Sequence, residues 1–123
     1  MIRDVTDLYV YKNALGNLDL LYDLASQIPE NHRKLRCQLI ESGEAIAPQI
    51  AEGFGKKRSE KEFKRFLEMA MGSSDEVITH IREIKILAER ILRINKNLCD
   101  LLIEKYKIES KQLQQLIKNW RSY

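Results

Sequence analysis

Residues 50–67 read IAEGFGKKRSEKEFKRFL, a stretch in which one predicted helix ends and another begins. Apolar residues precede Gly53 and Gly55, whose permissive backbone can end a helix. Ser59 and Glu62 follow in the S-x-x-E pattern of a capping box, where each side chain satisfies a backbone N–H at a helix start. This stretch therefore predicts two helices joined by a short connection, which we call the hinge.

Outward from the hinge, four stretches of the chain have apolar residues three and four positions apart, and short runs of turn-forming residues separate them. The predicted first helix covers residues 8–27, with Asp7 as its cap and Pro29 beyond its end. Its expected core-facing row consists of Leu8, Tyr11, Leu15, Leu18, Tyr22 and Ala25.

The second helix is predicted from a cap at Asn31 to about Phe54, and Pro48 inside it should kink or split it. The third is predicted to run from Ser59 to about Ile94. Its apolar residues repeat every seven positions, at Phe63, Ala70, Val77, Ile84 and Ile91.

The predicted fourth helix has Asn97 as its cap and a row lined by Cys99, Leu102, Ile103, Tyr106, Leu113, Leu116, Ile117 and Trp120. Short connections return each helix beside its predecessor. We therefore predict an all-α fold, an up-down-up-down antiparallel four-helix bundle in which residues 1–123 form a single domain.

More apolar surface is present than a solitary bundle needs. Met71, Ile78 and Leu92 lie on a row beside the core-facing row of the third helix, and we predict that they form an oligomer interface. Further apolar residues fall outside the predicted rows of their own helices, namely Tyr9, Leu20, Leu24, Leu101 and Ile108.

Composition and charge narrow the class of protein. Hydrophobic residues make up 44% of the 123 residues and charged residues 32%. No apolar run approaches the ~20 residues of a membrane span, so we expect a cytoplasmic protein that is not bound to membranes.

Residues 1–30 carry two basic and five acidic side chains, whereas residues 56–123 carry sixteen basic and ten acidic ones. This asymmetry permits a polyanionic partner without requiring one.

Cysteine and histidine spacing gives no sign of a metal centre. Cys37 and Cys99 have no partner at ligand spacing, and both are expected to be small buried thiols. Metal-binding bundles place E-x-x-H motifs on facing helices, and neither His32 nor His80 belongs to one. We expect no metal site and no cofactor.

The glycines of the hinge do not form a nucleotide-binding loop, because they follow a helix and lack the closing Lys-Ser or Lys-Thr of a Walker sequence. Basic side chains nevertheless gather around the start of the third helix, whose free N–H groups also favour anions. A nucleic-acid backbone is the natural ligand of such a cluster, and a solvated basic turn is the alternative. The predicted nucleic-acid-binding residues are Lys56, Lys57, Arg58, Lys61, Lys64 and Arg65.

We predict no catalytic residues. Glu52 is expected to have a structural role in the hinge, accepting backbone hydrogen bonds or pairing with a basic neighbour. Trp120 and Tyr123 could stack on exposed bases, although Trp120 also continues an apolar row and is expected in the core. The chain is thus predicted not to be an enzyme.

A resemblance to a known family rests on Ile50-Ala51-Glu52-Gly53-Phe54-Gly55, the basic residues after it, and Lys61-Glu62-Phe63. Together with the opening Val10-Tyr11-Lys12, this pattern resembles the 23S rRNA intervening-sequence protein family. The resemblance implies a bacterial four-helix bundle that assembles as a homopentamer and has no established enzymatic activity. Related accessory proteins of diversity-generating retroelements bind nucleic acid, which makes RNA the expected partner.

Two rival functions remain beside nucleic-acid binding by an oligomeric, non-enzymatic bundle. One is a protein-interaction scaffold that receives a partner on its apolar rows and acidic first helix. The other is an enzyme whose site lies between subunits, where Glu52 and a basic residue converge.

Overall fold

The computed structural model describes residues 1–121, which form helices and turns without strands. The predicted all-α class is therefore confirmed. The helices are α1 (Tyr9–Gly16), α2 (Leu18–Ser26), α3 (Arg33–Gly55), α4 (Glu60–Leu87) and α5 (Lys96–Asn119), and two 3₁₀ turns cover Val5–Asp7 and Glu30–His32.

The predicted first helix is two helices, α1 and α2, which meet at Asn17. Asp7 does not cap α1 as predicted, because its carboxylate accepts hydrogen bonds from the backbone N–H groups of Arg3 and Asp4. Asp4 caps the 3₁₀ turn instead, and the two aspartates form a capping box around it. Leu8, which has no side-chain acceptor, precedes α1.

Most of the core-facing row of this segment lies one residue before the predicted row, although Leu8 and Ala25 of the predicted row are buried as expected. Leu15 is 48% exposed and Tyr22 39%, whereas Leu21 and Leu24 are fully buried. Two adjacent apolar rows are present in the sequence, and the shape of α3 selects between them. Gly43 leaves room for the Leu21 side chain, since a Cβ atom at Gly43 would lie 2.7 Å from Leu21 Cδ1.

Helix α3 starts at Arg33, after the 3₁₀ turn, so the predicted cap at Asn31 is wrong. Pro48 lies inside α3 without splitting it. Its ring is exposed, and the missing N–H leaves only one carbonyl of the preceding turn without its helical partner. The helix remains continuous because its buried face packs on both sides of Pro48, at Ile46 and Ile50.

The heptad pattern of α4 is confirmed in its first four members, Phe63, Ala70, Val77 and Ile84, all fully buried. The helix ends at Leu87, seven residues before the prediction. Asn95, and not Asn97, then caps α5 by accepting a hydrogen bond from the Leu98 N–H at 3.0 Å. The connection is also anchored to the end of α2, because Gln27 Oε1 accepts from the Asn95 N–H at 2.8 Å.

Side-chain contacts join the helices into a bundle, and the predicted up-down-up-down order stays a prediction. Tyr22 of α2 donates to Glu44 of α3, and Ser73 of α4 donates to Gln49 of α3 at 2.9 Å. Ser74 of α4 donates to the Tyr106 carbonyl of α5 at 3.0 Å. The helices therefore pack as a bundle, with α4 between α3 and α5.

The two cysteines differ in their exposure to solvent. Cys99 is buried as expected, but Cys37 is exposed because it lies on the outer face of α3. Within residues 1–121, no helix has the length and apolar character needed to cross a membrane.

Candidate nucleic-acid interface

The connection between α3 and α4 consists of four residues, Lys56 to Ser59. Ser59 caps α4 as predicted, since its Oγ accepts a hydrogen bond from the Glu62 N–H at 3.1 Å. The second half of the predicted capping box is absent. The Glu62 carboxylate pairs with the Arg65 guanidinium at 2.9 Å, and this hydrogen bond holds the Glu62 pKa below its usual value. The Ser59 N–H donates to the Lys56 carbonyl instead.

The two hinge glycines differ in their role. No glycine in residues 1–121 has a positive φ angle, so the predicted need for a permissive backbone is wrong at both positions. Gly53 is required by packing, because a Cβ atom there would lie 2.6 Å from Phe66 Cβ and 3.3 Å from the Phe63 carbonyl oxygen. Gly55 has no atom within 4 Å of the corresponding position. The absent side chain of Gly53 thus allows α4 to approach the end of α3.

The basic side chains around the hinge, Lys56, Lys57, Arg58, Lys61, Lys64 and Arg65, form a surface that we call the basic corner. Its cations cover the aromatic rings beneath it. Lys57 Nζ lies 4.3 Å from the centre of the Phe54 ring, and Lys56 Nζ and the Arg65 guanidinium lie 4.9 and 4.5 Å from that of Phe66. Cation–π attraction and stem packing therefore hold these charges at the surface.

Carboxylates neutralise part of the basic corner. Lys64 Nζ lies 2.8 Å from Glu60 Oε1, and Arg65 is paired with Glu62. In contrast, Arg58 and Lys61 are exposed and make no salt bridge within residues 1–121. The structure therefore brings all six predicted side chains to one corner and leaves the loop side of that corner cationic.

The end of α5 also belongs to this corner, which sequence analysis missed. Arg121 Nη1 lies 3.8 Å from Glu60 Oε1. The Trp120 ring meets the Phe63 ring edge to face, with centres 4.8 Å apart, so Trp120 is largely core as expected. Arg121 lies close to Glu60, about sixty positions earlier in the chain, because the end of α5 packs against the start of α4. Tyr123, the other predicted stacking residue, lies outside the described residues.

Glu52 lies exposed beside the hinge. The Arg65 pKa is raised mainly by the hydrogen bond to Glu62, and the charge of Glu52 adds to this effect. This influence is not a salt bridge, so the predicted structural role of Glu52 stays a prediction. No group of three or more His, Cys, Asp or Glu side chains within residues 1–121 could hold a metal ion.

The three predicted interface residues do not share one exposed row. Ile78 is only 7% exposed and belongs to the buried hydrophobic core. Met71 is half-buried and lines a groove of about 380 Å³ between α4 and α5 with Lys107 and Lys111. Leu92 is 95% exposed, but it lies in the turn after α4 and not on the helix.

A larger apolar groove, of about 600 Å³, lies between the N-terminal segment and α5. Tyr9 and Ile108, which fall outside the predicted rows of their helices, both line it and are 74% and 52% exposed. Of the remaining residues in that set, Leu24 is fully buried, Leu20 is half-buried and Leu101 is 47% exposed.

The amino-acid sequence of the chain also matches the sequence model of a known protein family. The sequence model described as 23S rRNA-intervening sequence protein matches residues 6–115, nearly the whole chain from the first 3₁₀ turn to the last turns of α5. The chain belongs to the 23S rRNA-intervening sequence protein family. The match includes the entire basic corner except Arg121. No curated protein matches this member of the family.

Proposed function

We propose that this member of the 23S rRNA-intervening sequence protein family is a non-enzymatic, homo-oligomeric bundle that binds RNA or another nucleic acid through the basic corner. The observation that supports this proposal is the exposed cationic loop at the start of α4, where Arg58 and Lys61 form no salt bridge within residues 1–121. Phosphates neutralised there would release counterions, which is the main sequence-independent source of affinity for nucleic acids.

Helix α4 adds a second attraction for phosphate. Its Ser59 cap satisfies the Glu62 N–H, and the N–H groups before it stay directed toward the loop, where the helix end carries a partial positive charge. Glu60 and Glu62 oppose this field, but each is already paired with a basic side chain, Lys64 or Arg65. The uncompensated charge is therefore concentrated on the loop.

Oligomerisation would make this modest surface effective. Copies of the corner repeated around an assembly would bind one nucleic acid at several points, and each attached contact raises the effective concentration of the next. The homopentamer implied by the family resemblance would present five such corners. The exposed apolar groove with Tyr9 and Ile108 would supply surface for contacts between subunits.

We further propose that the protein acts in the cytoplasm. Both cysteines lack a disulfide partner, which is the usual state in a reducing compartment.

The test is a titration of a fluorescent RNA hairpin with the protein over a salt series, with the molar mass in solution measured by light scattering. A linear fall of log K with log salt concentration is expected. Replacing Lys56, Lys57 and Arg58 with Ala should flatten the slope by about two to three units, at about 0.7–0.9 per lost phosphate contact. The matched control replaces Lys34, Arg82 and Arg90 with Ala, which removes the same charge from the opposite end of the bundle.

Binding that is insensitive to salt, or equal slopes for the hinge variant and its control, would contradict the proposed function. A monomeric mass would contradict the oligomeric part alone.

The second candidate function is a protein-interaction scaffold. The groove of about 600 Å³ between the N-terminal segment and α5 favours it, since most of its lining is apolar and Tyr9 is exposed. Partners recovered by pull-down after complete nuclease digestion, and lost on Tyr9→Ser, would favour the scaffold over nucleic-acid binding.

A further inference from the structure

Glu109 lies in the middle of α5 and has no exposed surface. Neither of its carboxyl oxygens has a hydrogen-bond partner within residues 1–121. The hydroxyl of Tyr106, one turn earlier on the same helix, is also buried without a partner. Buried polar groups are nearly always hydrogen-bonded, and an ionised carboxyl group left alone in a core is strongly destabilising. A glutamate at this position therefore has a marked effect on how α5 packs.

The elements around Glu109 offer it no compensating charge. Helix α5 packs against α4, α1 and α2. The titratable side chain that α4 directs to this part of α5 is Asp75, which accepts a hydrogen bond from Ser110 at 2.7 Å. From α1, the neutral Asn13 amide donates to Gln112.

From α2, Tyr22 has an electrostatic effect that raises the pKa of Tyr106, and its hydroxyl donates a hydrogen bond to Glu44 of α3. On α5 itself, the charged neighbour one turn before Glu109 is Lys105, which makes no salt bridge with it. Burial alone raises the pKa of Glu109 to about 8. The carboxyl group is thus a neutral acid in the folded bundle at neutral pH.

We propose that Glu109 is a proton-operated latch, whose neutral acid allows α5 to dock in the bundle and whose ionisation weakens that docking. The proposal does not depend on nucleic-acid binding. If the proposal is correct, the packing of α5 on the bundle becomes less stable as the pH rises, in a range in which most other carboxyl groups are already ionised.

The direction of the effect follows from proton linkage. In the unfolded chain Glu109 ionises near its ordinary pKa of 4.5, whereas the folded state retains the proton up to about pH 8. The stabilising contribution is complete below pH 4.5 and is lost as the pH rises through 8. Between these limits the unfolding equilibrium constant rises about tenfold per pH unit. Carboxyl groups with lowered pKa values, such as Asp4, Asp7 and Glu62, change stability only at lower pH.

The chain provides its own probe of α5 docking. Trp120 is the single tryptophan. It lies at the end of α5 and packs against Phe63 of α4. Urea unfolding followed by Trp120 fluorescence, at one protein concentration and at pH 5.5, 6.5, 7.5 and 8.5, measures the equilibrium constant at each pH.

Wild-type protein should lose stability as the pH rises from 5.5 to 7.5, by nearly a hundredfold in the equilibrium constant. Between pH 7.5 and 8.5 the further rise should be only about threefold, because Glu109 then ionises in the folded state as well. Glu109→Gln should remove this dependence. Glu104→Gln is the matched control, because it makes the same chemical change on the exposed face of α5 and should behave as the wild type. His32 and His80 are common to all three proteins and cancel in the comparison.

Glu109→Met replaces the carboxyl group with an apolar side chain of similar length, and it provides the comparison if Glu109→Gln does not fold. It should show the same flat profile with higher stability at pH 7.5. A wild-type profile that is flat from pH 5.5 to 8.5, or a Glu109 variant that keeps the wild-type slope, would overturn the proposal.

Discussion

The rings of Phe63 and Trp120 pack edge to face at an angle of 89° between their planes, so the end of α5 lies against the start of α4. These residues are separated by most of the second half of the chain. Their contact brings the cationic end of α5 beside the basic corner, and Arg121 therefore reaches Glu60. The proposed interface is thus built on an aromatic contact between two helix ends.

Trp120→Ala should destabilise the bundle by about 3 kcal/mol, because it removes a large ring packed on Phe63. The lower end of the usual range applies because Trp120 is only partly buried. Urea unfolding followed by circular dichroism measures the change. Trp120→Phe retains an aromatic edge and should lose less than half as much. Equal losses in the two variants would show that the ring contact itself contributes little.

Gly53→Ala and Gly55→Ala should have opposite effects on stability. The new methyl group at Gly53 would meet Phe66 and Phe63, and overpacking of this kind destabilises by about 2–3 kcal/mol. At Gly55 the position is open, φ is not positive, and alanine should stabilise by up to about 1 kcal/mol through its higher helix propensity. Thermal unfolding of the two variants checks this pair, and similar changes in both would refute the packing role assigned to Gly53.

Ser59→Ala should destabilise α4 by about 1 kcal/mol, since its hydroxyl caps the helix through the Glu62 N–H. Ser59→Asp keeps an acceptor at the cap and should restore most of the loss. Chemical denaturation of the three proteins gives the values. A neutral Ser59→Ala would mean that water satisfies this N–H equally well.

The two cysteines should react at very different rates with a thiol reagent. Cys37 is exposed, whereas Cys99 is buried, and burial raises the pKa of its thiol. At pH 8 the native protein should release one equivalent of coloured product rapidly and the second only in urea. Cys37→Ser should abolish the rapid phase, and a rapid phase that persists in this variant would contradict the burial of Cys99.

Single substitutions in the basic corner should not weaken nucleic-acid binding equally. Lys64 is already paired with Glu60, so Lys64→Ala releases a carboxylate charge as well as removing a cation. Arg58→Ala removes a cation with no salt bridge in the described part of the chain. We expect Arg58→Ala to lower the salt slope by about 0.7–0.9 through its lost phosphate contact. Lys64→Ala should lower affinity with little change in that slope, because Lys64 is paired with Glu60 and therefore binds phosphate only weakly in the wild-type protein.

Local signals in the sequence were sufficient for the helical class, the Ser59 cap and the α4 heptad. Each depends on residues within one or two turns of each other, so neighbouring side chains carry the information. The family pattern lies in the same stretch. The helix ends were less well determined, since Asn95 and Asn97 are both good caps and the contact with Gln27 selects Asn95.

Contacts between distant segments decided the remaining features. Periodicity defines apolar rows on a helix, but only the surface opposite decides which row is buried, and Gly43 selects the row of Leu21. Gly53 is explained by the distance to Phe66, and Arg121 joins the corner because the end of α5 packs against the start of α4. Glu109 is buried because α1, α2 and α4 surround its face of α5, a burial that no pattern along one helix encodes. The sequence by itself determined the helical class, the Ser59 cap and the α4 heptad. Only the tertiary structure decided where the first predicted helix divides and which faces are buried, because burial depends on the shape and charge of the partner surface.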